Sequence, residues 1–400
     1  MRMAYNGESQ TGTPTLRPTT KTLEWIDRLV AFDTTSRNSN LELIEEVRGY
    51  LNSLGVKSEL TYDESGKKAN LWATIGADDV PGVVLSGHTD VVPVDGQDWD
   101  SDPYQVEERD ERLYGRGTAD MKSYVSACLA LAPQIVERNL NTPVHFALSY
   151  DEEVGCIGVR GLLAELERRP VKPRACIIGE PTDMRVVHAH KGKLSQRCCV
   201  TGLESHSGLA HRGVNAVEAA AETIAFLKQL ARRFRDSGPF DDGFDPPYTT
   251  VHTGTIRGGT ALNIVPKACT FEFEFRCLPD EDPQALADEV RAYAERSLLP
   301  EMHAVTPDAG FRWETLSEFP GLSTDPDAEV VKFVQRHVGE QHASKVSFGT
   351  EGGLFQAAGI PAVVCGPGSI AQAHRPNEFI ALEQISRCEA FLRAVLDDLT

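Results

Sequence analysis

Hydrophobic positions recur along this chain in two rhythms, and the switches between them divide it. In the first, short apolar runs alternate with segments whose apolar residues return every three or four positions. Leu23, Ile26, Leu29 and Val30 keep the helical period over Thr20 to Phe32, and Ile44, Val47 and Leu51 keep it over Leu41 to Leu54. Asn70 to Ile75, Val83 to Ser86, Val144 to Tyr150 and Ala175 to Ile178 are short and apolar, and read as buried strands. Between them the spacing predicts helices over Asp120 to Arg138 and Val159 to Arg168. Pro93 to Gly117, rich in Asp, Gly and Pro and holding Trp99 and Tyr104, reads as a loop ordered by its side chains. Strands that alternate with helices and are apolar on both faces point to an open α/β sheet, mostly parallel.

Near Gly192 the rhythm changes. Leu194 to Val200, Thr249 to Ile256 and Ala268 to Phe275 alternate residue by residue, with Phe271, Phe273 and Phe275 on one side, as half-buried strands do. Helices are predicted over Asn215 to Arg235 and Pro283 to Leu298, and a further strand over Phe311 to Leu316. That βαββαβ order resembles a ferredoxin-like layer with its helices on one face. After Pro320 the first rhythm returns, with helices over Ala328 to Val338 and Gly353 to Ala358, a strand over Ala362 to Cys365 and a closing helix from Leu382 to Leu396. The expectation is an α/β domain in two pieces, residues 18–191 and 319–400, with a ferredoxin-like α+β domain, residues 192–318, inserted between them.

Composition narrows the partners more than the fold. A chain of 400 residues, 41% hydrophobic and 25% charged, has room for two or three ordinary globular domains. Its net charge of -19 argues against nucleic acid and anionic membrane surfaces, which call for a basic footprint. A cationic substrate is compatible with that charge, although acidity alone mostly reports solubility. No apolar stretch approaches the roughly 20 residues that span a bilayer. Met1 to about Arg17 is polar, has no hydrophobic region of a secretory signal, and reads as a loose leader. The nine cysteines are odd in number and form no Cys-x-x-Cys pair, so they read as small hydrophobes in a reducing cytoplasm.

Candidate chemistry sits where the first-rhythm strands end. The strand from Val83 breaks at Ser86-Gly87-His88-Thr89-Asp90. In extended chain, residues two apart share a side, so Asp90 would lie beside His88 and orient its ring as a metal ligand; a solvated turn is the competing reading. Asp120 stands at a helix start, where for an isolated residue an N-cap is the better reading. Asp151-Glu152-Glu153 and Glu180 follow apolar strands, and His374 comes shortly after the last one. In doubly wound sheets the ligand crevice lies outside the strands' carboxyl ends. Five such positions supply two imidazoles and three carboxylates. Two divalent ions about 3.5–4 Å apart need ligands of this kind, one carboxylate bridging, and the mixture suits zinc, with cobalt or manganese as substitutes.

Three stretches carry a resemblance. Ser86-Gly87-His88-Thr89-Asp90-Val91-Val92-Pro93, Gly115-Arg116-Gly117-Thr118-Ala119-Asp120-Met121-Lys122-Ser123 and Asp151-Glu152-Glu153-Val154-Gly155 match motifs of the co-catalytic zinc M20 metallopeptidases and deacylases, which the chain resembles over nearly its whole length. The resemblance implies two zinc ions bridged by Asp120, with His88 and Glu180 on one and Glu153 and His374 on the other. It implies Glu152 as general base and Asp90 as the partner of His88. It makes the inserted domain a lid and dimerisation unit of a homodimer. There His206, in Gly202-Leu203-Glu204-Ser205-His206-Ser207-Gly208, would reach into the neighbour's site and stabilise the oxyanion; alone it reads as a surface histidine.

The same resemblance implies a small N-acyl amino acid as substrate. Asn263 and Arg276 fall in segments that line such sites, and Arg276 could fork onto a substrate carboxylate or form a surface ion pair. Ser347 to Gly353, Gly366 to Ser369 and Gln372 to Glu378 resemble the branch acting on N2-acetyl-L-ornithine. There Glu351 would meet the substrate ammonium and Gly349 and Thr350 its carboxylate; otherwise Glu351 is a helix N-terminal carboxylate. Desuccinylation of N-succinyl-diaminopimelate and broader N-acyl-amino-acid hydrolysis are the alternatives within the class. A non-catalytic binding protein of the same fold should have lost the base or a ligand, and this chain keeps all of them. His188 and His190 read as structural hinge residues, because the five ligands are complete without them.

Overall fold

The computed structural model describes residues 17–400, so the polar leader expected before Arg17 lies outside the described residues. Among the described residues the central sheet has nine strands. Its middle is parallel: Val144–Ser149, Val83–His88, Ala175–Pro181 and Ala362–Gly366 lie side by side in that order. Both faces of these strands are covered, which accounts for their continuous apolar runs. Val83, Leu85, Ile177 and Val363 point into one core with Trp25, Leu29, Tyr124 and Phe391. Val84, Cys176, Ile178 and Val364 point into another with Leu162, Leu163 and Phe355. Because the four strands run the same way, His88, the chain beyond Ser149, Glu180 and the chain beyond Gly366 all emerge on one edge.

The flanks are antiparallel except for Ser344–Val346, which pairs parallel with Val187–His190. Ala69–Ile75 pairs antiparallel with Val144–Ser149 and with the outer Ser58–Tyr62 strand, and Val187–His190 and Leu322–Ser323 close the other side in the same sense. The Pro93 to Gly117 loop is also more regular than expected. Its Glu107–Arg109 and Arg112–Tyr114 strands form a small sheet with Phe379–Ala381, which ties it to the segment just after His374.

A second sheet is antiparallel throughout, in the order Thr250–Gly258, Ala268–Cys277, Gly192–Thr201, Gly310–Phe319. With helices Ala216–Ser237 and Pro283–Tyr293 on one face, this is the ferredoxin-like order. Phe271, Phe273 and Phe275 pack with Leu227, Phe234 and Val290 in a core of their own. The helix expected to run from Pro283 to Leu298 stops at Tyr293, continues as a wider turn over Ala294–Leu298, and restarts as Leu299–Val305 with Pro300 in its first turn, where a missing N–H costs nothing. No helix among the described residues is long and apolar enough to cross a membrane.

Candidate metal centre

His88 is the last residue of its strand and is 1% exposed. Its Nε2 lies 2.9 Å from Asp120 Oδ1 and 3.5 Å from Glu180 Oε1. On the other side, His374 Nε2 lies 2.9 Å from Glu153 Oε2 and 3.4 Å from Asp120 Oδ2. Asp120 therefore offers one oxygen to each imidazole. It precedes the helix Lys122–Glu137, whose N-cap position is Met121, so Asp120 is not spent on capping. Ligand atoms of His88, Glu152 and Glu180 all lie within 4.8 Å of one another, as do those of His88, Asp120 and Glu153. Asp151 and His374 hold left-handed backbone, at φ 55° and 64°, a cost that recurs where chain must be aimed at a site.

The electrostatics show what the cluster lacks. Burial, reinforced by Glu153, pushes the Glu152 carboxyl up to about 8 despite the attraction of His88. Burial and then Asp120 raise Glu153 to about 7, and the same two causes raise Glu180 well above the ordinary range. Burial acts on Asp120 as well, but hydrogen bonds from His374 and His88 outweigh it and hold that carboxyl low. Hydrogen bonds to Asp120 and Glu153 lift His374 to about 10. For His88, Glu180 and Asp120 overcome burial and raise it well. Four carboxylates, two buried and two half-buried, around two imidazoles are short of positive charge, and this mixture of carboxylate oxygen and imidazole nitrogen suits divalent ions of the zinc, cobalt and manganese kind. The residues fit such ions.

Asp90 acts differently from the expectation. The strand ends at His88, so the same-side rule for extended chain no longer holds two residues on. His88 Nδ1 meets the backbone carbonyl of Asp90 at 2.9 Å, while the carboxylate is 3.6 Å away. That carboxylate instead accepts from Ser36 Oγ at 2.7 Å and from the backbone N–H groups of Glu152 and Glu153 at 3.1 and 3.3 Å. Lys68 holds the same turn through Asp151, at 2.7 Å. Asp90 thus orients the ring through its carbonyl and fixes the Glu152–Glu153 turn through its side chain.

A cleft of about 140 Å³ opens over the carboxylates. Arg276 and Lys193 reach it from the second sheet, where they lie opposite each other in register. Arg276 Nε donates to Glu274 at 3.2 Å. Lys193, Phe319 and Phe348 line the cleft and were not singled out in the sequence; the strand pairing with Arg276 is what exposes Lys193. Gly349 also lines it. Thr350 and Glu351 do not: they are 0% and 1% exposed, and Glu351 Oε2 sits 3.5 Å from Ser86 Oγ. Neither lines the cleft in this chain, because the chain turns inward into the helix Gly352–Ala357; Glu351 lies behind Glu152, near enough that its charge adds to the rise of that carboxyl.

His206 and Asn263 lie together at a separate two-stranded sheet, in which Ser205–His206 pairs with Ile264–Val265 and Asn263 is in the turn just before it. His206 is exposed and its Nδ1 accepts from the Gly208 N–H, while the Asn263 carbonyl accepts from the Ser207 N–H. Neither lines the cleft within one chain. His188 and His190 are buried in the Val187–His190 strand, their Nδ1 atoms against the carbonyls of Thr324 and Lys191. The sequence pattern gives Glu378 no role of its own. Its carboxylate accepts from the backbone N–H groups of Ala119 and Asp120.

The chain belongs to peptidase family M20/M25/M40, whose family model matches residues 84–398, and the family together with its relatives makes it a hydrolase acting on an amide. Among its relatives are the acetylornithine deacetylase of Myxococcus xanthus, 35% identical over 388 residues (96% of this chain and 97% of that protein), and that of Pasteurella multocida, 33% identical over 367 residues (90% and 91%). The fold is shared with an M20 family metallo-carboxypeptidase from Sulfolobus solfataricus at a TM-score of 0.73, with 18% identity and coverage of 95% of this chain and 100% of that one. It is shared as well with a dinuclear metal-binding M20 peptidase from Bacillus subtilis at a TM-score of 0.65, with 15% identity and coverage of 95% and 98%.

Proposed function

We propose that this M20 amidohydrolase holds two zinc ions and removes the acetyl group from N2-acetyl-L-ornithine, yielding ornithine and acetate for arginine synthesis. Cobalt or manganese would serve as substitutes. The observation that carries the reading is Asp120 standing between two imidazoles, with Glu152 beside it in the same cleft. His88 and Glu180 would hold one ion, Glu153 and His374 the other, and Asp120 both. When bound, such a pair supplies Lewis acidity, lowering the pKa of water and polarising a carbonyl.

The chain's own residues do the rest. Glu152 takes a proton from the attacking water and passes it to the departing amine, as the C–O bond forms and the C–N bond breaks. Such transfer is worth about 100- to 10,000-fold. Asp90 keeps Glu152 and its neighbour Glu153 in separate positions by gripping both of their N–H groups. Arg276 and Lys193, sharing the carboxylate of Glu274, leave a positive surplus on the wall opposite the carboxylates, which suits the substrate's own carboxylate.

His206 completes the site from a second protomer of a homodimer, consistent with its exposure and its place outside the cleft lining of its own chain. The nine unbridged cysteines suit a cytoplasmic enzyme. The relatives named above support acetylornithine over other acyl amino acids. A panel of N-acetyl- and N-succinyl-amino acids tests this. Acetylornithine should give the highest kcat/KM, and a preference for N-succinyl-diaminopimelate would move the assignment to desuccinylation.

A further inference from the structure

The two halves of the candidate metal centre are held by different means. His88 and Glu180 project from strands that are hydrogen-bonded on both sides within the parallel sheet. His374 has no such frame. It lies in the stretch between the Ala362–Gly366 and Phe379–Ala381 strands, in left-handed backbone, with a side chain 53% exposed. Something else must fix it against Asp120.

A continuous chain of polar contacts does so. Glu378 Oε1 accepts the backbone N–H groups of Ala119 and Asp120 at 2.9 and 3.1 Å. Its other oxygen accepts Arg116 Nη1 at 2.6 Å, in an ion pair where both side chains are 1% exposed. Arg116 Nη2 donates to Gln97 Oε1 at 2.6 Å, and Gln97 Nε2 donates to the backbone carbonyl of His374 at 3.0 Å. Trp99 Nε1 braces the Gln97 oxygen at 3.1 Å, and Arg116 Nη1 also reaches the carbonyl of Arg375 at 3.4 Å. The path runs from the backbone of one candidate ligand to the backbone of the other without a gap.

A buried ion pair adds little net stability over apolar packing of the same volume. What this one supplies is a fixed distance between two segments that the sheet does not join. We infer that Gln97, Arg116 and Glu378 form a positioning network that sets the affinity of the ion on the His374 side and leaves the His88 side alone. The inference rests on the two-ion reading above.

The test is calorimetric titration of metal-free protein with zinc, comparing wild type with Gln97→Met, a half-buried position where the change keeps volume but removes all three side-chain hydrogen bonds. Loss of a supporting contact around a ligand typically weakens metal binding by about 10- to 100-fold. The expected result is one of the two ions bound about tenfold more weakly, the other unchanged, and an unaltered thermal transition of the metal-free protein. Glu378→Gln, which keeps the shape and the backbone contacts, should show the same asymmetry. In a His374→Ala background, Gln97→Met should change nothing further, because the ligand it positions is gone. Equal weakening of both ions, or of neither, overturns the inference while leaving the two-ion reading intact. A wild-type protein that binds fewer than two ions overturns that reading itself, and this inference with it.

Discussion

The carboxylate of Asp90 accepts the backbone N–H of Glu152 at 3.1 Å, so the residue two beyond the candidate ligand His88 grips the candidate base by its main chain. Asp90→Ala should release the Glu152–Glu153 turn, and kcat should fall about 10- to 100-fold, as for other contacts that support a metal site. Asp90→Asn, which keeps one acceptor but turns the other into a donor facing an N–H group, should fall between. Steady-state kinetics on both variants check the order; an Asp90→Ala enzyme at wild-type rate contradicts it.

Glu152 should be separable from ion binding. Glu152→Gln keeps the shape of the side chain and removes its basicity. Turnover should drop about 100- to 10,000-fold with both ions retained, as measured by elemental analysis alongside activity. A variant of near wild-type rate removes Glu152 as the base.

The cross-protomer role of His206 has its own signature. His206→Ala and Glu152→Gln should each be nearly inactive alone. Mixed and allowed to exchange subunits, they should regain a measurable fraction of wild-type activity, because a mixed dimer contains one site with both residues intact. No recovery in a mixture shown to contain mixed dimers would place His206 outside the neighbour's site.

Stability should carry a histidine-dependent slope in mild acid. Burial first, and the charge of Arg169 second, lower His145 to about 4 from its ordinary 6.5. The folded state therefore resists a proton that the unfolded chain accepts. The contribution is complete above pH 6.5, shrinks as pH falls toward about 4, and is constant below that. A shift of this size is worth up to about 3 kcal/mol. Denaturant unfolding between these limits should show a shallower slope for His145→Gln than for wild type, and identical slopes would contradict the assignment.

Much of this arrangement can be read from the chain, for identifiable reasons. The parallel strands declare themselves because both of their faces are buried and their apolar runs end on His88, Asp151 and Glu180. The Ser58–Tyr62 strand does not, since it lies on an edge, partly exposed, with no apolar run to find. Asp90 was placed by a rule for extended chain that lapses where the strand stops. Glu351 followed a motif, and a motif does not report burial. Gln97, Arg116 and Glu378 were out of reach altogether, because their contacts join residues 277 and 262 positions apart and leave no local period.

The account depends most on two cations sharing Asp120. Crystals grown with zinc and measured on both sides of its absorption edge test this directly. The expected result is two anomalous peaks about 3.5–4 Å apart, one against His88 and Glu180 and one against Glu153 and His374, with a carboxylate oxygen of Asp120 on each. A map with no peak between those side chains, or with zinc only at sites elsewhere on the surface, would contradict it.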